Sequence, residues 1–298
     1  MKQLIGYLRL MRPANIVTAI ADILAGVAIA GSVGLMTSFT NNSVLMLALS
    51  TAFLYGGGVV LNDVFDADLD KIERPERPIP SGLIRESYAG LFGIILLLLG
   101  ITFAAFSKPE LFSLSTIIAG AIAIAAVLYD RWLKHHGFFG PLAMGICRGL
   151  NLLLGMSIIA GVVELFWFLA VVPIMYIFAI TMISRGEVHG SNRTPLYIAA
   201  LLYILVVIAI LLVSFYSETM PVTLPFVVFF VVMIFIPLQK AINKPEGPRI
   251  GKAVKSGVIS LIIMDAAWAA AVGNWKLALT ILVLLPVSLA LARLFAVT

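Results

Sequence analysis

Long apolar stretches follow one another along the whole chain and are separated by short polar connections. Each stretch is close to the roughly 20 residues that a helix needs to cross a bilayer, with a few residues of latitude. No strand-like alternation of polar and apolar residues recurs, so we expect helical spans whose backbone groups are satisfied within the segment. The pattern predicts ten spans, near residues 13–33, 44–61, 88–106, 111–128, 138–162, 165–183, 195–213, 221–238, 254–272 and 277–297.

Composition agrees with a chain embedded in lipid. Hydrophobic residues make up 61% of the 298 residues and charged residues 12%, whereas a soluble domain is roughly 45 to 50% apolar. We therefore expect an all-α, polytopic transmembrane bundle that forms a single domain over residues 1–298. The single cysteine, Cys147, excludes an internal disulfide and a metal site built from several cysteines.

The positive charges fall on one side of this predicted topology. The net charge is +5, but the basic residues are sorted into alternate loops rather than gathered on a face, which disfavours a nucleic-acid partner. With the N-terminus inside, the positive-inside rule is obeyed and both termini are predicted to be cytoplasmic. The outside loops carry Lys108 and Lys276, one span carries Arg148, and the inside loops carry Lys2, Arg9, Arg12, Lys71, Arg74, Arg77, Arg85, Arg131, Lys134, Arg185, Arg193, Lys240, Lys244, Arg249, Lys252, Lys255 and Arg293.

The connection after the second span, LNDVFDADLDKIERPERPIPSG, holds a cluster of acidic residues. If the helix continues through it, Asn62, Asp66 and Asp70 are four residues apart and project from one face, with Asp63 at the same rim. Carboxylates at this spacing repel one another unless a cation compensates them. Oxygen-only ligands of this kind suit Mg²⁺, which typically takes one or two carboxylates together with substrate phosphates. Asp68 points elsewhere, and we expect it to be solvated.

Basic residues stand directly beside this cluster. Arg74 and Arg77 follow the aspartates in a proline-rich turn, so groups that bind anions accompany groups that bind metals. A diphosphate bridged by Mg²⁺ would satisfy both sets. The alternative is a charged helix end that only terminates the span.

Three segments of the chain resemble the UbiA superfamily of intramembrane prenyltransferases. The main resemblance is the four-residue spacing from Asn62 to Asp70 followed by RPERPIPSG, which is similar to the first signature of that superfamily. Two shorter segments also resemble it, Arg12-Pro13-x-Asn15 before the first span and Tyr129 to Lys134 before the fifth. The resemblance implies a bundle of nine core helices around a lipid-accessible cavity, to which this chain would add one C-terminal helix.

The resemblance also implies a reaction. An isoprenyl group would pass from an allylic prenyl diphosphate to a lipophilic acceptor, aromatic acceptors included, with Mg²⁺ as cofactor and release of diphosphate. Asn62, Asp66 and Asp70 would be the catalytic metal ligands. The substrate-binding residues would be Asp63, Arg77, Lys134, Arg148, Glu187, Asn15 and Tyr129. Acceptor, prenyl chain length and oligomeric state stay open.

Two segments depart from the superfamily's usual pattern. The second acidic motif, normally two aspartates four residues apart, is replaced by SRGEVHGSNR, in which Glu187 is the single carboxylate and His189, Ser191 and Asn192 are weaker candidates for binding Mg²⁺. Asp130 follows the tyrosine where many relatives carry a small hydroxyl residue. The altered second motif and the run GPLAMGICRGLN resemble the EboC-like group within the superfamily.

These departures keep two other functions open. The chain could be a carrier or binding protein that presents a lipid-like metabolite without cleaving it, or a membrane terpene cyclase that releases products containing no acceptor. The degenerate second motif favours the first of these.

Three charged residues lie inside predicted spans, namely Asp22, Arg148 and Asp265. A charge at the centre of a bilayer costs at least about 2.5 kcal/mol on insertion scales, so each needs a partner or a function. For Arg148 we consider two interpretations, binding of a donor or acceptor and a buried pair with a carboxylate. For Asp22 and Asp265 we expect pairing across helices.

Overall fold

The computed structural model describes residues 2–32, 41–110, 112–187, 190 and 192–295. All regular structure in these ranges is helical, which confirms the predicted fold class. The α-helices are α1 Lys2–Met11, α2 Pro13–Ser32, α3 Asn41–Phe65, α4 Ala67–Glu73, α5 Glu86–Ala105, α6 Leu114–Leu128, α7 Phe139–Met156, α8 Val162–Phe166, α9 Val171–Ser184, α10 Thr194–Tyr216, α11 Met220–Asn243, α12 Gly247–Ala271 and α13 Trp275–Leu294.

Ten segments of the described chain are long and apolar enough to cross a membrane. They correspond one to one with the ten spans predicted from hydropathy, although several helices extend beyond the apolar stretch. α3 continues to Phe65, and the sixth span consists of α8, a 3₁₀ turn at Trp167–Ala170 and α9. The added turns carry polar residues, so a hydropathy window ends before the helix does.

Two short helices at the ends of spans were not predicted. α1 precedes the first span and is separated from α2 by Arg12, whose φ of +49° lies in the left-handed region. Pro13 disfavours a helical conformation for the residue before it, which explains the break at this point. α4 follows α3 after a single residue, Asp66.

The centre of the bundle is formed mainly by α2 and α12, and α7 packs tightly on α2. Glycines allow this approach, because a Cβ on Gly26 would collide with the carbonyl oxygen of Leu152, and one on Gly155 would collide with that of Ile23. Small residues are commonly used in this way where membrane helices cross. Close packing of α2 on α7 brings their polar side chains into direct contact inside the membrane.

Helix ends gather on the side of the bundle that the charge pattern predicts to be cytoplasmic. The end of α3 lies against the end of α6, where the helix continues as a π-helical turn at Tyr129–Leu133. The segment between α4 and α5 folds back beside them, with the backbone N–H of Ile84 donating to the carbonyl oxygen of Pro78 at 3.0 Å. This rim holds the acidic cluster.

Candidate active site

The backbone keeps the predicted four-residue spacing of the acidic cluster across the break between α3 and α4. The N–H of Asp66 donates to the carbonyl oxygen of Asn62 at 3.0 Å, and that of Asp70 donates to the carbonyl oxygen of Asp66 at 2.8 Å. Both are helical hydrogen bonds, although Asp66 itself has φ −95° and ψ 3°. The three side chains therefore rise one turn apart on one side of the segment.

Three cations from distant parts of the chain meet the aspartates of this cluster. The Nη2 of Arg12 lies 2.7 Å from Oδ1 of Asp63, and Nζ of Lys134 lies 2.5 Å from Oδ1 of Asp66. The Nη1 of Arg77 lies 2.6 Å from Oδ2 of Asp70 and 3.2 Å from Oδ1 of Asp63. The structure thus brings together five residues predicted to bind substrate or metal, together with Arg12.

Most of these ion-paired side chains are buried. Asp63, Asp70 and Arg77 are all less than a tenth exposed, and buried charges are retained only when they are well paired. By contrast, the side chain of Asp68 is 94% exposed and pairs with Lys71, three residues on. The helical register therefore separates the solvated aspartate from the buried ones, as the sequence predicts.

The donor set of the cluster fits a magnesium diphosphate. Within the described part of the chain, one carboxylate oxygen on each of Asp63, Asp66 and Asp70 receives no hydrogen bond. The buried Nε–H of Arg77 also lacks an acceptor there, and a diphosphate oxygen is a suitable one. No group of three or more His, Cys, Asp and Glu residues in the described ranges is placed to hold a metal ion by itself. Mg²⁺ is usually held jointly by protein and substrate phosphates.

Asp130 reaches the cluster from the end of α6. Its Oδ1 accepts a 2.8 Å hydrogen bond from Nδ2 of Asn62, and its side chain is buried. The π-helical turn that carries it is closed by the N–H of Lys134, which donates to the carbonyl oxygen of Tyr129 at 2.9 Å. Such turns often occur at functional sites. Sequence reasoning noted Asp130 as a departure and assigned it no role.

Two other predicted substrate residues lie near this rim without joining its ion pairs. Asn15 is in the first turn of α2, and its carbonyl oxygen accepts from Oγ1 of Thr18 at 2.8 Å. Glu187 follows α9, where partial burial raises its pKa while the charge of Arg74 opposes that shift. Asn192 is exposed, and His189 and Ser191 lie outside the described residues. Their part in binding stays a prediction.

Arg148 lies deeper, in a polar network between helices. Its Nε is 2.6 Å from Oδ2 of Asp22, and its Nη2 donates to Oγ1 of Thr18 at 2.8 Å. Asn151 joins them, because its Nδ2 donates to Asp22 Oδ2 at 2.9 Å and its Oδ1 accepts from Thr51 Oγ1 at 2.7 Å. Of the two interpretations of Arg148, the structure shows the buried pair, and contact with a substrate stays a prediction.

This network is well separated from the acidic rim. Thr51 precedes Asn62 by eleven residues on α3, which corresponds to about 16 Å along a helix. Asp22 pairs with Arg148 across helices, as expected from the sequence. Asp265, from α12, is buried, and its Oδ2 has no hydrogen-bond partner in the described chain, so its pairing stays a prediction.

Comparison with known proteins places this geometry in a family. A family model described as the UbiA prenyltransferase family matches residues 23–257. The chain belongs to this family. The match includes the whole acidic cluster, Asp130 and Lys134, so the ion-paired rim apart from Arg12 lies in the part that the UbiA family shares.

Curated relatives of this UbiA chain include several digeranylgeranylglyceryl phosphate synthases. The chain is 37% identical to that of Methanococcoides burtonii over 153 residues, which is 50% of this chain and 53% of the relative. It is 34% identical to that of Sulfolobus acidocaldarius over 188 residues, 62% of either chain. The matches thus span only about half to two thirds of the relatives' length. These relatives support the UbiA family in general and not the EboC-like group in particular.

Solved structures show the same UbiA fold. A structure described as digeranylgeranylglyceryl phosphate synthase in membranes has a TM-score of 0.65 at 24% identity and covers 93% of this chain and 100% of its own. A UbiA homolog from Archaeoglobus fulgidus bound to DMAPP and Mg²⁺ has a TM-score of 0.63 at 16% identity, covering 89% and 98%. The apo UbiA homolog from Aeropyrum pernix K1 has a TM-score of 0.68 at 14% identity, covering 85% and 96%.

Proposed function

We propose that this UbiA chain transfers an isoprenyl group from an allylic prenyl diphosphate to a lipophilic acceptor, with Mg²⁺ as cofactor. The observation that carries the proposal is the buried rim where Asp63, Asp66 and Asp70 each retain an oxygen free of hydrogen bonds to the described residues while three cations stand beside them. Carboxylates and cations are both needed to hold a magnesium diphosphate. The Archaeoglobus fulgidus homolog of the same fold is bound to DMAPP and Mg²⁺, which supports the choice of ligand.

In this proposal the residues of the rim divide into two groups. Asn62, Asp66 and Asp70 would hold Mg²⁺, and the bound ion would neutralise charge that develops on the diphosphate. Arg12, Arg77 and Lys134 can turn from the aspartates toward phosphate oxygens, because each is already held at the rim. Cations held beside a leaving group stabilise the negative charge that develops on it.

The chemistry then follows from breaking one bond. The C–O bond to the diphosphate ionises, the allylic cation is captured by the acceptor, and the acceptor loses a proton. Low water access favours this outcome, since water would also capture the cation. The rim lies at the ends of membrane-spanning helices, so both the prenyl chain and a lipophilic acceptor can be supplied from the bilayer.

The relatives favour an alcohol as the acceptor. The name digeranylgeranylglyceryl phosphate describes a glycerol phosphate that carries two geranylgeranyl groups. We infer that the acceptor is a prenylated glycerol phosphate, and that the donor is geranylgeranyl diphosphate. An aromatic acceptor is the alternative. The resemblance of residues 140–151 and 184–190 to the EboC-like group stays a prediction with no acceptor attached to it.

Purified protein in nanodiscs tests this proposal. Given geranylgeranyl diphosphate and Mg²⁺, we expect diphosphate release to depend on geranylgeranylglyceryl phosphate and a doubly prenylated product to appear by mass spectrometry. An excess of EDTA should stop both, and excess Mg²⁺ should restore them. Product formed only with 4-hydroxybenzoate would move the acceptor to the aromatic class, and turnover that survives metal removal would contradict the mechanism.

A carrier that binds a prenyl lipid without cleaving it is the second candidate function. The altered segment after α9 favours it, because Glu187 is the single carboxylate among residues 184–193. In the same assay a carrier would bind the donor tightly and release no diphosphate over long incubation. A cyclase would instead release diphosphate without any acceptor and give acceptor-free hydrocarbon or alcohol products.

We also propose that both termini and the acidic rim face the cytoplasm, which the distribution of basic residues supports. After Cys147 is replaced by serine, a cysteine introduced at Lys2 or Lys108 reports which side of the membrane that position faces. Impermeant maleimide should label Lys108→Cys in right-side-out vesicles and Lys2→Cys only in inverted ones. The reverse pattern would contradict the orientation.

A further inference from the structure

Asp130 is a buried carboxylate whose hydrogen bond ends on a proposed metal ligand. It is 3% exposed, and in the described chain no cation lies within 4.0 Å of its carboxylate. A buried carboxylate without an ion pair is costly. Its described hydrogen bond is the one accepted from Nδ2 of Asn62 at 2.8 Å. That hydrogen bond therefore offsets part of the cost of burying Asp130.

This contact decides which way the Asn62 amide faces. The structure places Nδ2 of Asn62 against Oδ1 of Asp130, so Oδ1 of Asn62 faces away from Asp130. An ionised carboxylate, which can only accept hydrogen bonds, holds the amide in that orientation. A serine or threonine hydroxyl at position 130 would both donate and accept, and would therefore satisfy either orientation of the amide. An ionised aspartate therefore fixes the orientation of the Asn62 amide, whereas a hydroxyl allows either orientation.

The π-helical turn makes this geometry possible. Its i to i+5 bond, from the N–H of Lys134 to the carbonyl oxygen of Tyr129, inserts one extra residue into the turn. The same short turn thus supplies Asp130 to Asn62 and Lys134 to Asp66. Asn62 and Asp66, successive residues of the proposed metal motif, are therefore both contacted from the π-helical turn that follows α6.

We propose that Asp130 is a positioning residue that fixes the Asn62 amide with Oδ1 available as a metal ligand. This inference rests on the proposed function, because it concerns the same metal site. It also offers a reason for an aspartate at this position. Because Glu187 is the single carboxylate of the second acidic segment, the first motif must hold the metal with fewer additional ligands. A fixed orientation of Asn62 then contributes more to the affinity for the metal.

Binding of Mn²⁺ in place of Mg²⁺, measured by electron paramagnetic resonance of the purified protein with cleavage-resistant geranylgeranyl thiolodiphosphate present, tests the proposal without catalysis. Loss of an outer-shell partner typically weakens metal affinity about 10- to 100-fold, and we expect this for Asp130→Ala. Asp130→Asn keeps an oxygen that can accept from Asn62, but its amide can also donate, so it orients Asn62 less firmly and should lose part of that affinity. Asp68→Ala, which removes an equal charge from an exposed site, is the matched control and should change nothing.

A double-mutant cycle separates positioning from direct ligation. In an Asn62→Ala background, Asp130→Ala should cause little further loss, because its effect passes through Asn62. An equal loss in both backgrounds, or wild-type affinity in Asp130→Asn, would overturn the proposal.

Two further outcomes complete the design. If Asp130→Ala does not fold, as judged by gel filtration and thermal unfolding, Asp130→Asn and Asp130→Ser carry the comparison, and both should bind Mn²⁺ more weakly than the wild type because each side chain can donate as well as accept. Wild-type affinity in both variants would contradict the proposal. A wild type that binds no Mn²⁺ in the presence of the thiolodiphosphate would reject the proposed function itself, whereas equal Mn²⁺ affinity in the wild type and in Asp130→Ala would reject only the role of Asp130.

Discussion

Replacing Asp66 or Asp70 by alanine is expected to reduce diphosphate release by about 10³-fold or more. Metal stabilisation of a leaving group contributes several kcal/mol, and each 1.36 kcal/mol corresponds to a factor of ten in rate. Both side chains also hold a cation in place, Lys134 for Asp66 and Arg77 for Asp70. Each substitution therefore removes a proposed ligand and also releases a proposed diphosphate contact.

The measurement is release of diphosphate from geranylgeranyl diphosphate by equal amounts of folded protein. Asp68→Ala is again the control, since Asp68 is exposed and on the other side of the same helix. It should retain nearly all activity. Substantial turnover by Asp66→Ala or Asp70→Ala would show that the rim does not carry the reaction, and equal losses in all three variants would show that general charge, and not the buried geometry, matters.

The second large effect concerns stability. Asp22→Ala is expected to lower the free energy of unfolding by about 3 kcal/mol, because removing one partner of a buried ion pair leaves an uncompensated charge. Arg148 cannot lose its proton, so it has no means of becoming neutral. The value lies at the lower end of the usual range because Arg148 keeps its hydrogen bond to Thr18 in the variant.

Denaturant unfolding of the purified protein in mixed micelles measures this change. The double variant Asp22→Ala/Arg148→Met should recover much of the loss, since replacing a whole buried pair by apolar side chains is often nearly neutral. A double variant as unstable as Asp22→Ala alone would mean that the network stabilises the bundle through hydrogen bonds to Thr18 and Asn151 and not through the charge pair.

Much of the fold can be predicted from the sequence because lipid imposes simple rules. Uninterrupted apolar stretches show all ten spans, and the spacing of Asn62, Asp66 and Asp70 indicates a shared helix face. α1 was missed because ten residues are too few for a span, although apolar residues at Leu4, Tyr7 and Leu8 follow a helical period. α4 was not predicted as a separate helix. Helical hydrogen bonds continue through Asp66, and the sequence there carries no signal that ends α3.

The contacts of the site are harder to predict. Arg12 pairs with Asp63 across 51 positions, and Lys134 pairs with Asp66 across 68. Such pairs depend on how the helices pack and not on local pattern. Asp130 was not assigned because a π-helical turn changes the register of the side chains, and no feature of YDRWLK indicates that change. Tyr129 identified the segment by resemblance, but it gave no indication of where the side chain of Asp130 points.

The central claim is that the rim binds a prenyl diphosphate through a divalent cation. Equilibrium binding of geranylgeranyl thiolodiphosphate, which resists cleavage, to purified wild type and Asp66→Ala tests it most directly. The account predicts saturable binding that requires Mg²⁺, disappears with EDTA, and is lost in Asp66→Ala. Binding of equal strength without Mg²⁺, or in Asp66→Ala, would contradict it.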